Sequence, residues 1–228
     1  MLPSRYLFNA AFRGLLGLGV WLCLSSLPRA MARQAPEEDA DFFEMSLEDL
    51  ANEPVRHREY KIKAAFLYNF LRTVDWPEGR FADGNEPWVI GIVGKDPFGD
   101  IFDHVADKGV KGRQVIIRRF PCVQGTLTAD PQKERRAVQT DEWRKCHLLF
   151  VCRSEQAAVS GILKRVAGFS VLTVGEVQGF LESGGCINFI PTEDKGDFEI
   201  NLDACKQAQL EVSSKLIRIA QRVIQGKK

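Results

Sequence analysis

The sequence predicts an α/β fold: a mostly parallel sheet flanked by helices on both faces, ending in an antiparallel hairpin and a C-terminal helix. Three observations carry this expectation. Short apolar runs at 88–94 and 146–152 are continuous rather than alternating, as in strands buried on both faces. Segments of helical periodicity lie between them, and strands alternating with helices close into a parallel sheet. Near the C-terminus two strand-like segments flank Glu193-Asp194-Lys195-Gly196, a turn that makes them a hairpin.

The chain opens with Arg5 and Arg13, an apolar run from Gly14 to Leu27, Pro28, and small residues at Ala30 and Ala32. This is the layout of a secretory signal peptide over residues 1–32, cleaved after Ala32. The run is shorter than the roughly 20 residues a spanning helix needs. Residues 33–55 form an acidic leader with eight acids against Arg33 alone. Within it, Ser46 and Asp49 have the spacing of a capped short helix. Residues 56–228 are read as a single domain.

Residues 56–75 are helical, with Ile62, Ala65, Phe66, Asn69 and Phe70 along one face, widened by Leu67, Leu71 and Val74. Trp76-Pro77 ends this helix. Trp88–Gly94 is a buried strand. Asp96-Pro97 has the form of a helix start, predicting a helix to about Val105. Arg113–Phe120 and Cys146–Cys152 are the next strands. Ser154 caps a helix to Val166, and Ser170–Val174 is a fourth strand. Glu176–Ser183 reads as a short helix ended by Gly184-Gly185. Cys186–Pro191 and Asp197–Leu202 form the hairpin. A last helix starts at Ser213 or Ser214, with Leu216, Ile217, Ala220, Val223 and Ile224 on one face.

Without residues 1–32 the chain carries 28 bases and 30 acids, a balance that argues against nucleic-acid binding. Export also excludes chemistry that depends on cytoplasmic ATP or NADH. Loss of Cys23 leaves Cys122, Cys146, Cys152, Cys186 and Cys205, an odd set with one thiol left unpaired within the chain. Cys205 sits in a helical pattern as a buried apolar residue. Cys122, Cys146, Cys152 and Cys186 are the disulfide candidates, with pairing open.

Gly91-Ile92-Val93-Gly94-Lys95 lies where a phosphate loop sits, but its spacing fits no nucleotide motif and Asp96 is hostile to phosphate. It reads as a structural turn, with room for a small ligand beyond Val93 and Val151. His57, His104 and His147 show no metal-ligand spacing, and Cys146-His147 adjacency puts the pair on opposite strand faces. No catalytic residue, metal site or cofactor follows from the sequence. The expectation is a non-enzyme.

Several stretches together resemble a known family. They are Lys63–Phe70 with Asp75-Trp76-Pro77, Ile90–Gly94 with Asp96–Gly99, Cys146–Phe150, Val171–Val174, Gly184–Phe189, and Phe198–Asp203 with Ser213–Leu216. In order over residues 60–224, they are similar to the YfiR-like family of periplasmic proteins. The resemblance implies a periplasmic repressor that binds an inner-membrane diguanylate cyclase and restrains cyclic di-GMP and attached growth. It also implies a sequestering partner at the outer membrane or cell wall, a homodimer, and disulfide bonding. Cys146 and Cys186 fall at bridge positions of some members, but the expected partners near Ile90 and Gly179 are not cysteine. The alternative function is a periplasmic small-ligand sensor feeding another membrane signalling protein. For partner binding the sequence offers Glu199, Asn201 and Asp203, alternating opposite Phe198, Ile200 and Leu202. Trp76 and Phe81 are candidate aromatic anchors.

Overall fold

The computed structural model describes residues 55–81, 86–103, 109–123, 141–191 and 196–226. All lie in one compact unit, Asp41–Lys228. The signal peptide, the cleavage position, the capped helix at Ser46, His104 and the turn residues Glu193–Lys195 fall outside them.

Helix α1 (Val55–Thr73) leads into a two-residue strand β1 (Val74–Asp75). The large sheet contains β2 (Trp88–Val93), β3 (Val115–Phe120), β4 (Leu148–Val151), β5 (Leu172–Gly175), β6 (Ile187–Phe189), β7 (Phe198–Asn201) and β9 (Arg222–Ile224). Its order is β3-β2-β4-β5-β6-β7-β9. Every neighbouring pair is parallel except β6 and β7, the expected hairpin. Helix α2 (Val159–Val166) joins β4 to β5, and α3 (Leu202–Gln207) follows β7. Strand β8 (Glu211–Val212) pairs with β1, and α4 (Ser214–Ile219) precedes β9.

The continuous apolar runs are explained by two separate core layers. Ile90, Ile92, Leu148, Phe150, Leu172 and Val174 join the α1 layer. Their neighbours Val89, Val93, Leu149 and Val151 join the α2 layer, with Ile162 and Leu163. Side chains alternate along a strand, so both alternating sets must be apolar when both faces are covered.

The structure corrects several elements. The buried residues of α1 are Tyr60, Lys63, Ala64, Leu67, Tyr68, Phe70 and Leu71, so of the predicted face Phe70 is buried while Ile62, Ala65, Phe66 and Asn69 are half-buried beside it. The lysine among them hid this face. Residues 96–103 form turns, not a helix, because the Asp96 carboxylate takes the Phe98 amide in a local turn. Ser154 does not cap the next helix. A 3-10 segment, Arg153–Ala158, precedes α2, and Ser154 Oγ accepts from Lys95 N instead. Residues 176–183 are also turns, with Gly179 at φ 75. The last helix stops at Ile219; Val223 and Ile224 belong to β9, where the backbone gains a partner in β7.

Candidate functional site

The predicted ligand space beyond Val93 and Val151 is filled. Buried Glu155 accepts the Val123 amide there at 2.8 Å and the Ser154 hydroxyl at 2.9 Å. Gly94, at φ 108, leaves no room even for a Cβ, which would lie 2.4 Å from Ser154 Oγ. The structural-turn reading of this loop fits that packing.

The open cleft lies elsewhere, toward the hairpin end of the sheet. It encloses about 550 Å³ and is lined by Glu176, Glu182, Asn188, Phe189, Glu199 and Arg222 among others. Its polar wall is a cross-strand row. Asn188 on β6 is in register with Glu199 on β7, and Glu199 with Arg222 on β9. Because Ile187, Phe189, Phe198 and Ile200 all point into the α1 layer, Asn188 and Glu199 must point to the other face.

Each polar group of the row is engaged. Asn188 Nδ2 donates to Glu199 Oε1 at 3.1 Å, and Asn188 Oδ1 accepts from Val177 N at 3.0 Å. Arg222 Nε donates to Glu199 Oε2 at 2.6 Å, and its Nη2 donates to Glu182 Oε1 at 2.9 Å. The hydrogen bonds to Glu199, then to Glu182, hold the Arg222 guanidinium pKa above its ordinary value. The bond from Arg222 holds the Glu182 carboxyl below the ordinary range.

Glu176, just past the end of β5, anchors the other side. Its side chain is 2 % exposed and meets Lys63 Nζ at 2.7 Å, with the Lys63 side chain 4 % exposed. It also accepts from Tyr60 OH at 3.0 Å and from Arg153 N at 3.3 Å. Burial, then the Glu176 charge, pushes the Tyr60 phenol pKa up, so it stays a donor. Lys63 also meets Glu59 at 2.5 Å. Two cations, Lys63 and Arg222, thus serve four carboxylates, leaving the ion-paired set negative. Among the described residues no cluster of three metal-ligating side chains occurs.

The predicted residues divide into two sets at opposite ends of the sheet. Glu199 lines the cleft but is buried rather than solvated, committed to Asn188 and Arg222. Asn201 caps α3 by accepting from Ala204 N, and half-buried Asp203 accepts from Gly226 N. Trp76 and Phe81 pack at the amino ends of β2 and β4. Trp76 meets Trp88 edge-on at 5.0 Å, and Phe81 stacks on His147 at 4.6 Å. Both are half-buried, in a cluster crossed by Arg113 over Phe81. His147 Nδ1 accepts from Val89 N, which fixes its ring as a core element. Sequence reasoning missed Lys63, Glu176, Glu182, Asn188 and Arg222. The available signal for Glu176 was its place directly after a strand end, where open α/β sheets build sites.

The five described cysteines are all unbridged. Cys122 is exposed, and Cys146, Cys152, Cys186 and Cys205 are buried. Burial pushes the Cys146 thiol pKa up to about 12 and raises that of Cys152 further.

Residues 60–221 match the model of the YfiR/HmsC-like family. The chain belongs to the YfiR/HmsC-like family. That family is periplasmic and regulatory, acting on diguanylate cyclase signalling through a membrane partner. Among solved structures, a conserved domain protein from Vibrio cholerae O1 biovar El Tor str. N16961 superposes with a TM-score of 0.46 at 12 % identity. The match covers 72 % of this chain and 60 % of that one. No curated protein matches the chain.

Proposed function

We propose that this chain is a periplasmic, non-enzymatic regulator that binds an inner-membrane diguanylate cyclase and represses it, lowering cyclic di-GMP. The family match over residues 60–221 carries the reading. The cleft is consistent with it, since its carboxylates are ion-paired and suited to recognition. The proposed contact face is the cleft rim. Glu182 and Arg222 supply exposed charge, and Asn201 and Asp203 adjoin on β7 and α3. Export with cleavage after Ala32, a homodimer, and a sequestering partner at the outer membrane or cell wall complete the scheme.

Deletion of the gene tests it. Cyclic di-GMP should rise severalfold and return to the starting level when the wild-type gene is restored. A folded Glu182→Lys chain should restore it poorly. Unchanged cyclic di-GMP, with no signalling protein cross-linked to the chain in membranes, would sink the proposal.

A second reading, a small-ligand sensor, is favoured by the cleft itself. Its volume falls within the roughly 300–1,000 Å³ typical of ligand sites. The negative surplus selects for a cationic ligand. A panel of amines and basic amino acids that leaves the melting temperature unmoved would remove this reading.

A further inference from the structure

Asn188, in the middle of β6, is buried, with register partners Gly175 on β5 and Glu199 on β7. Gly175 has no side chain, and the Phe180 ring takes the space a Cβ would need, approaching it to 2.5 Å. No side chain on β5 therefore stands between the Asn188 amide and the turn at 176–183. The two partners of the amide fix its orientation. The Val177 N–H can only donate, so Oδ1 faces it at 3.0 Å. The Glu199 carboxylate accepts, so Nδ2 faces its Oε1 at 3.1 Å. The first bond holds the turn that carries Glu182. The second fixes one oxygen of Glu199, while Arg222 Nε donates to the other at 2.6 Å. A carboxylate held at both oxygens sets the plane of the guanidinium, and Arg222 Nη2 then meets Glu182 Oε1 at 2.9 Å. Both members of the exposed rim pair, Glu182 and Arg222, are thus located through one buried amide.

We propose that Asn188 is the positioning residue of the rim: it sets Glu182 and Arg222 for the partner without touching the partner itself. The inference rests on the rim being the contact face. An asparagine that served the core alone would need only to satisfy the Val177 amide. Here the side chain must accept on one side and donate on the other, so an isosteric carboxylate serves Val177 but not Glu199. Two carboxylates at the 3.1 Å spacing of this pair cannot both ionise at low cost, and they share one proton. While that proton is present it stands in for the Nδ2–H. Once it is lost as pH rises, the side chain of Asn188→Asp repels Glu199 and the hold on Arg222 is released. The charged groups around this position are Glu199 on β7, Arg222 on β9, and Glu176 and Glu182 in the turn after β5.

The test follows the Arg222 Nε proton by magnetic resonance in the full exported chain carrying isotope-labelled arginine, with Arg222→Lys identifying its signal. In Asn188→Asp this proton should exchange with water as slowly as in wild type at about pH 5. At about pH 7.5 it should exchange about tenfold or more faster than in wild type, the factor for losing one hydrogen bond to a charged group. Asn188→Ala should exchange faster than wild type at both pH values with its circular dichroism unchanged, and it decides the matter if the Asn188→Asp chain does not fold. In the gene-deletion strain Asn188→Asp should lower cyclic di-GMP severalfold less than the wild-type gene. Wild-type exchange at both pH values in both variants would overturn the proposal. So would full repression by a variant whose Arg222 proton exchanges fast. If the wild-type gene itself leaves cyclic di-GMP unchanged, the proposed function fails, and the exchange comparison still decides whether Asn188 sets the pair.

Discussion

Replacing Lys63 with Met should destabilise the domain by about 3–5 kcal/mol, the range for breaking a buried pair and stranding one charge. Lys63 and Glu176 are 2.7 Å apart with side chains 4 % and 2 % exposed, so water replaces neither partner. Met keeps most of the volume and the contacts with Tyr60 and Phe189, over whose rings the ammonium lies at 4.6 and 5.7 Å. What disappears is chiefly the charge. Glu176 would keep two donors, Tyr60 OH and Arg153 N, but no cation. For a domain of this size the melting temperature should fall on the order of 10 °C. The double variant Lys63→Met with Glu176→Gln removes both charges, and should recover on the order of 2 kcal/mol relative to the sum of the single changes. Urea unfolding followed by circular dichroism measures all three variants. A Lys63→Met loss below about 1 kcal/mol, in the range of an exposed pair, would refute the reasoning. So would strict additivity in the double variant. Either outcome would mean that Glu176 is not a buried, cation-dependent anchor of the cleft.

Four further outcomes are expected. His147 is driven from its ordinary value near 6.5 to about 3, first by burial and then by Arg80 and Arg113. Its stabilising contribution is therefore complete above pH 6.5 and lost as pH falls toward 3, at up to about 1.4 kcal/mol per pH unit. Urea midpoints between pH 7 and 4 should fall less steeply in His147→Gln, and equal slopes would exclude this residue as the cause. Gly94→Ala should cost about 2 kcal/mol or more, since φ is 108 and the new Cβ meets Ser154 and Glu155. By contrast Gly161→Ala in α2, with nothing within 4 Å, should stabilise by about 0.5–1 kcal/mol. In the folded, reduced chain only exposed Cys122 should react quickly with a maleimide at pH 8, while the buried Cys146 and Cys152 require unfolding.

The central strands β2, β4 and β5 were legible because burial on both faces leaves one simple mark, a continuous apolar run, whereas the edge strand β3 leaves Ile116 exposed. The helical segments that failed were short and began with residues whose side chains had other work. Asp96 turns the chain onto Phe98 and pairs with Arg119 at 2.6 Å, so its capping-like position does not continue into a helix. The amide of Val177 is taken by Asn188, which holds the segment after β5 against the hairpin instead of letting it wind. The C-terminal apolar spacing was ambiguous, because Val223 and Ile224 serve a three-residue strand as readily as a helix. The cleft was only half legible. Glu199 stood out by alternation, but its partner Arg222 and the Lys63–Glu176 anchor join residues distant in sequence, and a lysine inside an apolar helix face carries no local sign of its counter-charge.

The hairpin explains why the cleft opens where it does. Along β2 and β4 the second face of the sheet is apolar, with Val89, Val93, Leu149 and Val151 under the α2 layer. Along β6, β7 and β9 the same face carries Asn188, Glu199 and Arg222. An apolar row there would leave a sticky patch facing the cleft, and unpaired charges there would each lose hydration without compensation. A row in cross-strand register avoids both, because amide, carboxylate and guanidinium satisfy one another across adjacent strands. The antiparallel turn between β6 and β7 brings Glu199 opposite Asn188. The parallel return of β9 then brings Arg222 opposite Glu199. Recognition chemistry and strand pairing are therefore set by the same register. A one-residue slip of β7 would turn Glu199 into the α1 layer and Ile200 into the cleft, so the strongest force holding the site together is the apolar set on its opposite side, Phe198 and Ile200.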